Sequence, residues 1–255
     1  MDLPLPLLEF DPSPTAVIEP KHVIAAKDVP DCAVICFFQD VIQNLVAQKR
    51  ATLIHELRSD MGIHPVYEIA IDGRRVAVFH PGIGAPFAAA LMEEVIGLGC
   101  TKFVACGACG VLDSTISVGH VLIPNCAVRD EGTSFHYAPP SREIEFDPET
   151  VGTIEKTLQS REVPYRVTKT WTTDAFYRET PRRVATRRSE GCLCVEMEAA
   201  ALCAVARFRG VKFGQLLSGG DDLGGELWDA RAGVERRSGR EQLFTLAVEA
   251  CLALG

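Results

Sequence analysis

The sequence predicts an α/β fold, a three-layer α/β/α arrangement in which helices cover both faces of a central sheet. Three observations carry this expectation. Apolar runs rich in β-branched residues recur along the chain, and segments of helical periodicity separate them. The third is size: 255 residues, 47% hydrophobic and 24% charged, suit one large domain with a well-buried core. Such sheets bind ligands beyond the carboxyl ends of their strands, so the strand-to-loop junctions are where chemistry is sought.

The elements follow in order. Residues 1–30 are proline-rich and read as an extended arm, leaving a single domain over 31–255. AVICFF (33–38) has the composition of a buried strand. The segment from there to about residue 59 spaces Val41, Ile42, Leu45, Val46, Leu53, Ile54 and Leu57 as a helix would. YEIAI and RRVAVFH flank an Asp72-Gly73 turn and predict a hairpin. A small-residue helix over 86–97 leads to the strand TKFVACG. Residues 119–129 are another strand, and Asp147-Pro148 opens a helix to about 161. YRVTKTW is a strand, 195–208 an alanine-rich helix, VKFGQLLS a strand and 232–254 a closing helix. This alternation implies a largely parallel sheet.

Composition excludes several classes. A net charge of −8 argues against nucleic acid or an anionic membrane as the partner. The arginine-rich pieces RETPRRVATRR and DARAGVERRSGR are interrupted by acids and read as solvated helix faces. The opening MDLPLPLLEF lacks a basic leader, and no apolar run is long enough to span a bilayer. Ten cysteines without a secretory leader suggest free thiols in a reducing, cytoplasmic setting. Cys106-x-x-Cys109 has no second close pair to complete a metal site, so no metal is expected. Asp40, ahead of an apolar helical run, reads as its N-cap.

Four junctions carry polar residues beside glycines: HPGIGAP (80–86), ACGACG (105–110), RDEGTSFHY with TTDAFYRET (129–137 and 172–180), and CVEMEAAAL with SGGDDLGGELWD (194–202 and 218–229). Each alone is a modest signal. In this order and spacing they resemble the nucleoside phosphorylase superfamily, nearest to its uridine phosphorylase-like branch, over roughly residue 33 to the end. VEMEAAAL is the most specific piece.

The resemblance implies a twisted mixed sheet partly closed into a barrel, and a homodimer or a homohexamer built as a trimer of dimers. It implies cleavage of a nucleoside's N-glycosidic bond through an oxocarbenium-like transition state. No cofactor is implied, with phosphate as the possible co-substrate. Glu198 matches the carboxylate that grips the ribose hydroxyls, Met197 packs under the sugar, and Glu196 orients the loop. His22 resembles a histidine lent to a neighbour's ribose. Phe176 matches the aromatic that stacks on the base. Thr180 and Arg182 stand where a uridine phosphorylase keeps a glutamine and an arginine. Asp221 matches the acid that protonates a purine, and burial would keep it loaded. Glu198, Asp221 and Arg182 are therefore the catalytic candidates.

Around the acceptor the chain departs from the pattern. Gly84, Gly107 and Gly110 read as turn glycines that let backbone approach the ligand. Phe37, Val41, Ala105 and Ala108, however, stand where phosphate-using relatives keep a glycine, two arginines and a hydroxyl. A dianion needs donors, and four apolar replacements weigh toward hydrolysis or an altered acceptor over phosphorolysis. The alternatives are a phosphorylase of uridine or a purine nucleoside with a divergent phosphate site, and a non-catalytic nucleoside-binding protein.

Overall fold

In the computed structural model, which describes residues 5–232 and 237–255, the apolar run CAVIC forms strand β1 (Cys32–Cys36), buried on both faces. Nine further strands lie among the described residues: β2 (Thr52–Ser59), β3 (Gly62–Ile71), β4 (Arg74–Phe79), β5 (Lys102–Val111), β6 (Val121–Asp130), β7 (Glu143–Glu145), β8 (Tyr165–Thr173), β9 (Cys192–Glu196) and β10 (Lys212–Asp222). The helices are α1 (Pro20–Val23), α2 (Gln39–Ala47), α3 (Ala85–Leu98), α4 (Pro148–Ser160), α5 (Pro181–Ser189), α6 (Ala199–Arg209) and α7 (Arg237–Ala253). None is long and apolar enough to cross a membrane.

The strands form one sheet in the order β10-β6-β8-β9-β5-β1-β4-β3-β2, and β10 also pairs with β5. That extra pairing closes β5, β10, β6, β8 and β9 into a five-stranded barrel, from which β1, β4, β3 and β2 continue as an open sheet. Closure removes two sheet edges and lets neighbouring strand ends converge on one site. Helix α3 packs on α6 and α4 on α7. The first contact is close because both helices carry alanines where they are buried.

The sheet is mixed, as the family resemblance implies, and not largely parallel. β5–β9, β6–β10, β6–β7, β2–β3 and β3–β4 run antiparallel, whereas β1–β4, β1–β5, β5–β10, β6–β8 and β8–β9 run parallel. The Asp72-Gly73 hairpin forms with positive φ at both residues, the geometry a two-residue turn requires. Asp147 caps α4 by accepting from Thr150 N at 2.9 Å.

Three local expectations are corrected. The helix after β1 stops at Ala47 and Lys49 takes a positive φ; Thr52–Ser59 is then a strand paired with β3. Its apolar spacing suits either structure, and pairing with a partner strand decides. The alanine-rich helix starts at Ala199 because Val195 and Glu196 still belong to β9, which pairs with β5 and β8. ACGACG is no turn at all: it is the second half of β5, paired with β10 along its length. Gly110 is there for space, since an added Cβ would lie 2.5 Å from Leu223 Cδ1 and 3.1 Å from Val195 Cγ1. The start of the closing helix at 233–236 lies outside the described residues.

The arm runs over the helical side of the body. Arg209 holds it there, donating to Glu19 at 3.2 Å and to Glu93 of α3 at 2.7 Å.

Candidate active site

Strand β9 ends at Glu196 and α6 begins three residues later, so VEMEAAAL forms a strand-to-helix corner with both glutamates inside it. Glu196 faces inward. Its Oε2 accepts from the backbone N–H groups of Glu198 and Ala199 at 2.7 and 2.6 Å, and its Oε1 from the Thr172 hydroxyl at 2.6 Å. It thus caps α6 and fixes the corner. Glu198 turns the other way, to the loop after β4. Its Oε1 accepts from Gly84 N at 2.6 Å. Gly84 has φ +94, a conformation that favours glycine, and this aims its N–H at the carboxylate.

Both carboxyls are buried, which disfavours their charged forms. Burial first, and the Glu196 charge second, push Glu198 up to about 8. Burial raises Glu196 less, to about 7, because its hydrogen bonds favour the carboxylate. Glu196 is therefore the first of the pair to lose its proton. Carboxyls raised in this way stabilise the fold while protonated, and that contribution is lost as pH rises through the folded pKa. We expect the melting temperature to fall across the window from their ordinary value of 4.5 to about 8. Thermal melts of Glu198→Gln should show a shallower fall; a slope equal to wild type would remove Glu198 as its source.

The cleft above this corner has a volume of about 480 Å³. Phe37, Gly107, Ala108, Glu196, Met197 and Glu198 line it together with Gln39, Asp40, Ile83, Gln215, Leu217 and Arg240. Three of the four residues expected around the ribose, Glu196, Met197 and Glu198, thus line one cleft, and His22 does not. Of the four apolar acceptor residues only Phe37 and Ala108 face the cleft. Val41 and Ala105 are 3% and 0% exposed and pack in the core. Both cysteines of FVACGACG are buried too, and hydrogen bonding to Cys194 together with burial holds the Cys109 thiol well above its ordinary value.

The base-side candidates do not line this cleft: Phe176, Thr180 and Arg182 lie on the β8–α5 connection and the start of α5, and Asp221 at the end of β10. Phe176 is half exposed and its ring lies 4.1 Å from that of Tyr177. Thr180 is the N-cap of α5, and Arg182 is exposed on that helix. Asp221 is not the buried acid expected: it is only partly buried, and Oδ2 accepts from Trp228 Nε1 at 2.7 Å. Next to it is Glu179, which the sequence did not single out; burial, then the Asp221 charge, raise it to about 7. His22 stays in the arm, where its Nδ1 accepts from Glu19 N.

Two expectations about charge are corrected here. Asp40 does not cap α2: Phe38 is the N-cap residue, and Asp40 Oδ2 instead accepts from Arg240 Nη1 at 3.1 Å. Arg240 comes from DARAGVERRSGR, read as a solvated face, yet it turns onto the cleft and stacks over Phe38 at 5.2 Å. No signal in the sequence marks it, because its partner lies 200 residues away.

Comparison with known proteins bears on the fold and the family. A guanosine phosphorylase of Halorubrum lacusprofundi is 29% identical over 60% of this chain and 64% of its own length. A DeoD-type purine nucleoside phosphorylase of Colwellia psychrerythraea is 27% identical over 79% of this chain and 85% of its own. A uridine phosphorylase of Salmonella typhimurium is 29% identical over 57% and 63%, so two of these three matches span less than two thirds of the relative. Among solved structures, uridine phosphorylase from Vibrio fischeri superimposes with a TM-score of 0.76 at 22% identity, covering 91% of this chain and 95% of that one. Purine nucleoside phosphorylase from Toxoplasma gondii gives 0.76 at 20% identity, covering 88% and 91%. The sequence pattern of the phosphorylase superfamily matches residues 31–253, and with the barrel and the Glu196–Glu198 corner in place, the chain belongs to that superfamily.

Proposed function

We propose that the chain cleaves the N-glycosidic bond of a nucleoside and transfers the ribosyl group to phosphate. The observation that carries this reading is the Glu198 carboxyl, buried in the cleft wall with one oxygen held by Gly84 N–H. As a carboxylate it can accept two ribose hydroxyls and oppose the positive charge that develops on the sugar. Glu196 positions it from behind. Similarity to guanosine, purine and uridine phosphorylases supports phosphate over water. The sequence-based weight toward hydrolysis rested on four apolar residues, two of which pack in the core, and it counted no cation in the cleft.

A purine is the better-supported leaving group. Glu179, raised to about 7 beside Asp221, is a carboxyl still able to supply a proton near neutral pH. Thr180 and Arg182 offer less to a pyrimidine, one spent as a helix cap and the other in solvent. A homodimer, or a homohexamer built as a trimer of dimers, in which the arm with His22 serves a neighbour, is part of the same proposal. The exposed Val17, Ile18 and Val23 of that arm are consistent with it.

One observation favours a second reading, hydrolysis: Asp40 Oδ1 borders the cleft, is buried and has no hydrogen-bond partner, as a water-activating base would be. Incubation with a panel of nucleosides, with and without phosphate, separates the readings. We expect sugar 1-phosphate and free base, dependent on phosphate. Free base with free ribose, independent of phosphate, would establish hydrolysis, and no base under any condition would leave a binding protein.

A further inference from the structure

Around the acceptor end of the cleft, three polar groups converge from elements far apart in sequence. Arg240 enters from α7, Asp40 from the first turn of α2, and Gln215 from β10. Gln215 is 1% exposed, and its Oε1 has no hydrogen-bond partner. A buried amide with one end unsatisfied costs about 1–3 kcal/mol, so the open end of Gln215 is a place that a ligand or a water can complete. Since the two ends of a carboxamide exchange by a simple flip, that ligand can be met by either the oxygen or the NH2 group.

The placement of these groups is informative. Gln215 pairs in register with Ala105, one of the positions where the expected arginine is missing. Arg240 lies over Phe38, beside Phe37 and Ala108, the two apolar replacements that do face the cleft. A guanidinium keeps its charge at any accessible pH and presents five N–H donors, of which Asp40 takes the one at 3.1 Å.

We infer that Arg240 and Gln215 take up the phosphate, with Asp40 as the resting counter-ion that Arg240 gives up when phosphate arrives. This rests on the phosphorolytic reading above. The Asp40–Arg240 side chains are 39% and 37% exposed. An ion pair so open to water is worth only about 0–1 kcal/mol, so little is lost when Arg240 turns from Asp40 to the oxyanion. Arg240 then bonds the oxyanion through its planar fork, and the Gln215 amide donates from the strand below. The cation thus reaches the β1–α2 loop from α7, beside Asp40 and Phe38, while Val41 and Ala105 pack in the core.

The test uses the full chain and inorganic phosphate. In steady-state kinetics, Arg240→Ala should raise the KM for phosphate about 10- to 100-fold, the loss of a charge-assisted bond, and leave the nucleoside KM within about threefold. Arg240→Lys should fall between the two. Asp40→Asn, which removes the competing carboxylate, should lower the phosphate KM, the opposite of what loss of a purely structural ion pair would do. Thermal shift with phosphate alone should show stabilisation of wild type that Arg240→Ala lacks. Phosphorolysis by wild type with an unchanged phosphate KM in Arg240→Ala would overturn this inference and leave the proposed function standing. Absence of both sugar 1-phosphate formation and a phosphate-induced shift in wild type would overturn both.

Discussion

Glu198→Gln lowers kcat/KM for any accepted nucleoside by about 10³-fold, or roughly 4 kcal/mol of transition-state stabilisation, while the fold persists. Glutamine keeps an oxygen for Gly84 N–H, so the corner formed by β9 and α6 should survive. What disappears is the negative charge opposite the cationic sugar and one acceptor for its hydroxyls. The wild-type pH profile supplies a signature that structural damage would not reproduce. Glu198, raised to about 8, must lose its proton to act, and Glu179, raised to about 7, must keep its own, so kcat/KM should climb with pH, peak between the two and fall again. The climb should vanish in Glu198→Gln. Circular dichroism and initial rates on the same preparation decide the matter. Activity of Glu198→Ala within about twofold of wild type, under ~0.5 kcal/mol, would remove Glu198 from its role.

Arg129→Ala destabilises the protein by about 1–3 kcal/mol, the range for leaving buried polar partners unsatisfied. Arg129 is 6% exposed at the end of β6. Its guanidinium donates to the Ser134 and Ser141 hydroxyls at 2.8 Å each, to Pro139 O at 2.6 Å and to Ala138 O at 3.1 Å. It also stacks over Phe135, 4.1 Å from the ring centre. Alanine would leave the buried Ala138 carbonyl and the more open Pro139 carbonyl without these donors, and Glu131, whose carboxyl accepts from Ser134 N at 2.9 Å, beside an empty space. Urea titration measures the loss, and a change below about 1 kcal/mol would show that water replaces the guanidinium at little cost. The RDEGTS segment, which the sequence places among the chemical junctions, is thus held by Arg129 as a folded loop.

Local sequence was sufficient wherever short-range chemistry decides. The Asp72-Gly73 turn, the Asp147 cap and the buried strand at Cys32–Cys36 follow from residue types and their spacing. VEMEAAAL located the glutamate corner, because a strand end, two acids and a run of alanines in eight residues serve few other purposes. Local sequence failed where partners are distant. Leu53, Ile54 and Leu57 fit helix or strand equally until β3 pairs beside them. The glycines of β5 looked like turn residues, but they make room for Leu223, Val195 and Phe37 against an extended strand. Asp40 looked like a cap until α7 brought Arg240 to it.

By itself, then, the sequence determined the class of fold, the Glu196–Glu198 pair and the apolar character of Phe37, Val41, Ala105 and Ala108, since all three are written in contiguous motifs. Only the tertiary structure decided that the sheet closes through β10 and β5, that Val41 and Ala105 lie in the core, and that Arg240 and Gln215 border the cleft. The physical reason is range. Turns, caps and strand ends depend on neighbours within a few residues, whereas a guanidinium finds its carboxylate, and a buried amide its empty corner, only after packing has brought separate elements together.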